Sequence, residues 1–325
     1  MRVFVIAVII FAQAQCLRAA QSSAAQFLKL GFGARALGMG EAFVSVADDG
    51  AALYYNPAGL EGERPCCGPK ASGTAPPEDW PCCGPNEFSF SHALHVQNTA
   101  VSQISFMRRP YAFALTYFSA GQLEGRDENG ALTGNFSARD LAVSAGRGFK
   151  LGALAAGVSG KFISQNIKNS GAAAFASDLG LLYRFSGTPY ALGASVVNLG
   201  TKVKFDEESF PLPLALKAGA SAAFEKILLA LQADFPNDSG AVIRAGAEYR
   251  GISGLALRAG YKTSPSDQRD AILGTGLGGS ASGVSAMYGF FAGLGFEYSN
   301  FKLDYALLPY GELGSAHRFS LGVRF

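Results

Sequence analysis

The chain has 325 residues and a net charge of +2, with 16% charged and 49% apolar residues. That charge content, against a globular average near one quarter, leaves a soluble surface of this size short of solvating side chains. With no basic stripe or lysine-rich tail to neutralise phosphates, a nucleic-acid partner is excluded. A barrel with lipid outside and small or polar residues inside has no such shortage, and 41 Gly, 25 Phe and 12 Tyr suit one.

Residues 1–20 read as a signal peptide. Met1-Arg2 supplies the positive end, and residues 3–12 (VFVIAVIIFA) form an apolar run of about ten, too short to cross about 30 Å of hydrocarbon. Ala12-Gln13-Ala14 fits a cleavage site, with Ala19 or Ala20 as later choices. Gln15 before Cys16 rules out a lipobox, which needs a small residue there. Beyond residue 20 no apolar stretch reaches the 18 or so residues of a spanning helix.

Residues 21–60 show no alternation. Ala34-Arg35-Ala36-Leu37-Gly38-Met39-Gly40 precedes Asp48-Asp49-Gly50, and Tyr54-Tyr55-Asn56-Pro57-Ala58-Gly59-Leu60 closes the segment. Gly31, Gly33, Gly38 and Gly40 permit close backbone approach, and Asn56-Pro57 favours a turn. A phosphate-binding loop is excluded, because the Walker lysine and a following βαβ unit are missing.

Residues 61–86 are rich in Cys and Pro. Pro65-Cys66-Cys67-Gly68-Pro69 recurs as Pro81-Cys82-Cys83-Gly84-Pro85. In an oxidising periplasm Cys66, Cys67, Cys82 and Cys83 are expected to form disulfides, in any of three pairings. Vicinal cysteines depart from the usual zinc spacing, so no metal site is expected.

From residue 87 to 325 the pattern has period two. Ile227, Leu229, Leu231 and Phe235 alternate with Leu228, Ala230, Gln232 and Asp234; Phe301, Leu303 and Tyr305 alternate with Lys302, Asp304 and Ala306. Each segment therefore has one apolar and one small or charged face. Strands are expected at 87–95, 99–108, 111–120, 137–149, 151–165, 174–186, 189–199, 214–224, 226–235, 240–250, 253–262, 287–298, 300–309 and 315–325. Every second connection is tight: Arg109-Pro110, Lys150, Gly187-Thr188, Glu225, Gly251-Ile252 and Ser299. The others are mostly long and polar, including 121–136, 200–213 and 263–286. Short periplasmic turns, long external loops and an even strand number define outer-membrane barrels. The expected fold is thus all-β: a closed antiparallel transmembrane barrel of about fourteen strands, whose internal space must be water-filled or plugged.

Phe319, Leu321, Val323 and a terminal Phe325 resemble the signal by which barrel-assembly machinery recognises its clients. Closing 315–325 on 87–95 removes an apolar edge that lipid would not tolerate. The motif G-x-G-A-R-A-x-G-M-G-x-A-F-V-x-x-A-D-D ending in Y-N-P-A-G-L, with Leu303-Asp304-Tyr305-Ala306 and His317-Arg318-Phe319-Ser320-Leu321 at the other end, resembles the PorV/PorQ family of outer-membrane proteins. These are relatives of the FadL fatty-acid transporters, whose hatch carries a similar N-P-A element. The resemblance implies that residues 21–60 are a small hatch folded into or against the lumen, that Arg35, Gly38, Met39, Gly40, Asp48, Asp49, Asn56, Pro57, Ala58 and Gly59 form its motif, and that residues 61–86 are an insertion. In that place Arg35, Asp48 and Asp49 could pair with lumen-facing charges such as Arg184, Arg258 and Lys302.

Catalysis is not expected. His92, His95 and His317 are the only histidines, and no G-x-S-x-G elbow or H-E-x-x-H motif is present. His92 and His317 could meet near the outer rim, as polar residues at the membrane interface. No cofactor is implied. The resemblance implies assistance to protein export of the type IX kind, with secretion components and cargo proteins as partners beside outer-membrane lipid. The alternatives are a FadL-like passage for hydrophobic small molecules and a structural barrel with interacting loops.

Overall fold

In the computed structural model the residues described are 23–61, 86–94, 99–168, 170–205, 207–263, 288–310 and 314–325. The signal segment, all five cysteines and His95 lie outside them. The strands are β1 (Asn86–Leu94), β2 (Ala100–Arg108), β3 (Tyr111–Arg126), β4 (Leu132–Leu151), β5 (Leu154–Ile167), β6 (Ser170–Arg184) and β7 (Tyr190–Gly200). A small hairpin of β8 (Val203–Phe205) and β9 (Glu208–Phe210) follows. Then come β10 (Ala215–Ala223), β11 (Ile227–Pro236), β12 (Val242–Ile252), β13 (Leu255–Lys262), β14 (Phe290–Tyr298), β15 (Phe301–Pro309) and β16 (Ser315–Arg324).

Fourteen of these close into one antiparallel barrel, and β8 and β9 pair apart from it. The seam is β1 against β16, with Phe88 opposite Val323 and Phe90 opposite Leu321. Phe325 and Asn86 exchange backbone hydrogen bonds just beyond the seam. The exposure of side chains is inverted relative to a soluble protein. Phe175 is 63% and Leu231 57% exposed, whereas Asp178, Glu248 and Gln232 are at most 2% exposed. An apolar face turned outward around a polar interior is the arrangement lipid demands.

Strand positions mostly fall within a few residues of those expected from the alternation. The largest departure is 121–136, read from sequence as a loop. There β3 and β4 run on as a paired hairpin, with Leu123 opposite Phe136, across register shifts at Ser119/Gln122 and Gly125/Arg126. Glycines and charges break the apolar alternation there, and nearly all side chains of 122–135 are exposed, so the hairpin has no contrast between two faces. The turn expected at Lys150 falls at Gly152-Ala153, and that at Gly251-Ile252 falls at Ser253-Gly254. His92 and His317 do not meet in the register: His92 stands opposite Phe319 and bonds Ser102 at 3.0 Å, while His317 bonds the Tyr305 hydroxyl at 2.7 Å.

Candidate functional site

Residues 23–61 lie inside the barrel. The segment starts beside Pro211 and Asp238, at the end where the longer connections lie, and leaves beside Gly148 near the tight turns. It has little regular structure of its own: turns of helix at Gln26–Lys29, Ala34–Gly38, Ala52–Tyr55 and Pro57–Leu60. Phe32, Met39, Phe43 and Tyr55 pack into a cluster shared with Ala230 of the wall. Such short turns are not stable alone; the wall must hold them.

The wall does so first by letting the backbone come close. A Cβ on Gly157 would lie 2.1 Å from the Pro57 carbonyl carbon, and one on Gly260 would lie 2.0 Å from the Gly40 nitrogen. Gly180, Gly193 and Gly246 are similarly covered by Asn56, Val44 and Met39. The hatch backbone thus rests on wall glycines from β5 through β13.

Side chains of the wall then satisfy the hatch's backbone polar groups, which buried irregular chain cannot leave unpaired. Gln232 Oε1 accepts from the Phe43 and Val44 amides at 2.9 and 2.8 Å. Gln103 accepts from Gly33 at 3.2 Å and donates to the Gly31 carbonyl at 2.7 Å. Ser320 accepts from Ala34 at 2.8 Å. Within the hatch, the Asn56 side chain adds three bonds to backbone: its Nδ2 donates to the Val44 carbonyl and to the Leu181 carbonyl of the wall at 2.8 and 3.0 Å, and its Oδ1 caps the next turn at Ala58.

At the centre is an ion network. Arg35 reaches Asp48 at 2.5 Å, Asp49 at 2.8 Å and Glu248 of β12 at 2.9 Å. Glu248 also takes Arg258 and Arg250, both at 2.6 Å, and Arg258 goes on to Asp304 at 2.7 Å. Lys302 lies between Asp304 at 3.4 Å and Asp49 at 3.8 Å. Burial pulls the Arg35 pKa down, but Asp48, Glu248 and Asp49 outweigh it and hold the guanidinium pKa well above its ordinary value.

Of the contacts expected for the motif, Asp49 with Lys302 is present. Arg258 meets the wall carboxylates Glu248 and Asp304, and Arg184 donates to the Val46 carbonyl at 3.5 Å. Sequence reasoning missed Glu248, Gln103 and Gln232. All three fall on the small or charged phase of their strands, where a polar residue with no other duty was the available signal.

Between hatch and wall, toward the end with the longer connections, lies a cavity of about 510 Å³. Its charged lining comprises Lys29, Lys161, Lys217, Arg244 and Lys262 with Glu41, Asp234 and Asp238. The start of the hatch straps its rim, because Ser23, Gln26 and Lys29 all donate to the Asp238 carboxylate, Lys29 at 2.6 Å. Burial raises the Asp238 pKa, but the bonds from Lys29 and Ser23 bring it below the ordinary 3.8. The strap's electrostatic stabilisation is therefore complete above the ordinary value and is lost as pH falls through the lowered one. Asp238→Asn is expected to mimic that loss at pH 7, raising amide exchange at 24–30 about tenfold, the worth of a charged hydrogen bond. Unchanged exchange would show that the strap is held otherwise. Among the described residues, no group of three His, Cys, Asp or Glu is placed to hold a metal ion.

A closed fourteen-stranded transmembrane barrel carrying its own N-terminal segment in the lumen defines the class to which this chain belongs. Solved structures resemble it in fold. The toluene transporter TbuX of Ralstonia pickettii is 16% identical, with 91% of this chain and 98% of that one covered at a TM-score of 0.56. The toluene transporter TodX of P. putida is 15% identical, with coverage of 91% and 99% and a TM-score of 0.55. The monoaromatic hydrocarbon channel CymD is 12% identical, with coverage of 91% and 98% and a TM-score of 0.56. At these identities the likeness is one of fold. No protein-family model matches the chain, and no curated protein does.

Proposed function

We propose that the protein is an outer-membrane channel for a small molecule, with residues 23–61 as its hatch. The observation that carries this reading is the cavity between hatch and wall, which opens a space beside a segment held by exchangeable polar contacts. An outward apolar face closed into a ring around a polar lumen supports the outer membrane, with its lipid and its barrel-assembly machinery as partners. The named activities of TbuX, TodX and CymD support conduction on this fold, although one fold hosts many functions. The reading departs from a purely hydrophobic passage, because charged side chains line the cavity.

The second reading, assistance to export with secretion components and cargo, is carried by the motif's likeness to the PorV/PorQ family. Co-purification from gently solubilised outer membrane tests it, and recovery of no secretion component or cargo would reject it. The channel is tested in proteoliposomes loaded with arabinose, benzoate or terephthalate. Release of at least one solute is expected to exceed that from protein-free liposomes, and Arg35→Ala is expected to speed it. Equal rates in all three preparations would reject a conduit under hatch control.

A further inference from the structure

Among the described residues the cavity's charges do not balance locally. Lys29 is matched by Asp238 at 2.6 Å, and Lys161 by Asp178, in the wall behind it, at 2.8 Å. Arg244 takes two carboxylates, Glu41 at 2.9 Å and Asp234 at 2.6 Å. Counting Asp178, five cations meet four carboxylates, and the double use by Arg244 leaves Lys217 and Lys262 over. Among the described residues neither lysine makes an ion pair or a side-chain hydrogen bond.

The strand register makes this more pointed. Asp234 stands directly opposite Lys217, yet its carboxylate is engaged by Arg244 and by Gln232 at 2.6 Å. Lys262 stands directly opposite Arg244. Like charges opposed across a ladder are destabilising, and here both face a confined space rather than open solvent. A departure from local consistency of this kind belongs to sites, not to scaffolding.

The remaining lining suits a carbon body. The Tyr54 ring lies between two of these cations, its centroid 5.7 Å from the Lys217 ammonium and 5.8 Å from that of Lys161. Leu28, Val197, Pro213 and Val242 complete apolar parts of the wall. A volume of about 510 Å³ is large for an inorganic anion and falls within the range of small-molecule sites.

We propose that this cavity binds a small organic dianion, of the aromatic dicarboxylate kind, with one anionic group on Lys217, the other on Lys262 and the body against Tyr54. The proposal rests on the channel reading and names its substrate class. The ligand supplies the countercharge that the wall withholds, so affinity follows ligand charge rather than apolar area.

Titration calorimetry on the detergent-solubilised full chain tests it with three probes of one shape: terephthalate, 4-carbamoylbenzoate and terephthalamide, with charges of −2, −1 and 0. Affinity is expected to fall in that order. Lys217→Gln with Lys262→Gln should weaken terephthalate at least tenfold and leave terephthalamide unchanged, while arginine at both positions restores binding. In the unsubstituted protein, raising salt from 50 to 500 mM should weaken terephthalate most, 4-carbamoylbenzoate less and terephthalamide not at all, a readout that needs no variant to fold. Absence of terephthalate binding, equal affinity for the three probes, or indifference to salt would overturn the proposal. Binding without release from proteoliposomes would reject the conduit and keep the site. Release of arabinose without terephthalate binding would reject the site and keep the conduit.

Discussion

Replacing Arg35 with alanine is expected to free the hatch while the fourteen strands stay closed. Arg35 is the only hatch cation in the ion network, and its loss leaves Asp48, Asp49 and Glu248 facing one another with one fewer counterion. Breaking a buried pair from one side costs about 3–5 kcal/mol, or roughly two to nearly four orders of magnitude in the displaced population. None of that cost falls on the barrel ladder, because Glu248 keeps Arg250 and Arg258. Planar-bilayer recordings should show larger and more frequent openings, and a protease added to solubilised protein should cut within 30–60. Glu248→Gln should open it less, since Arg35 then retains both aspartates. If Arg35→Ala leaves conductance and protection as they were, the network is not what seats the hatch.

The barrel was legible because its two faces meet different solvents. Ile227, Leu229 and Leu231 point to lipid and Gln232 and Asp234 to the lumen, so the alternation survives every local irregularity. Where both faces of the hairpin are exposed, at 121–136, that contrast ends and so did the reading. The hatch was legible as a motif but not as a contact map. Arg35 with Asp48 and Asp49 is a local arrangement; its tie to Glu248 spans 213 residues and depends on which strand closure brings under the turn Ala34–Gly38. The glycines of the wall were read as small lumen residues. Their purpose, to let Pro57, Ala58 and Gly40 touch the sheet, exists only once both surfaces are folded. The cavity lysines were hidden for a related reason, because an unpaired charge is defined by its neighbours and not by its position in a strand.

Two glycines of β5, three residues apart, separate the seating of the hatch from the stability of the strand. Gly157 faces inward, where a Cβ would meet backbone of Pro57 and Ala58 at 2.1 and 2.3 Å; Gly160 faces outward with nothing within 4 Å. Valine has the higher strand propensity, so Gly160→Val should leave the barrel unchanged or slightly firmer. Gly157→Val offers the strand the same gain, but the obstructing atoms are main chain and no side chain can swing aside. Overpacking a core commonly costs about 1–3 kcal/mol, and relief here requires Pro57–Leu60 to lift off the wall, taking with it the Asn56 bond to Leu181. Amide exchange at 52–60 should therefore rise about tenfold or more in Gly157→Val and not in Gly160→Val, with the heat-induced gel shift of the barrel alike in both. Equal exchange in the two variants would mean that the N-P-A-G turn is held by its polar partners alone and that its fit to a bare stretch of sheet is incidental.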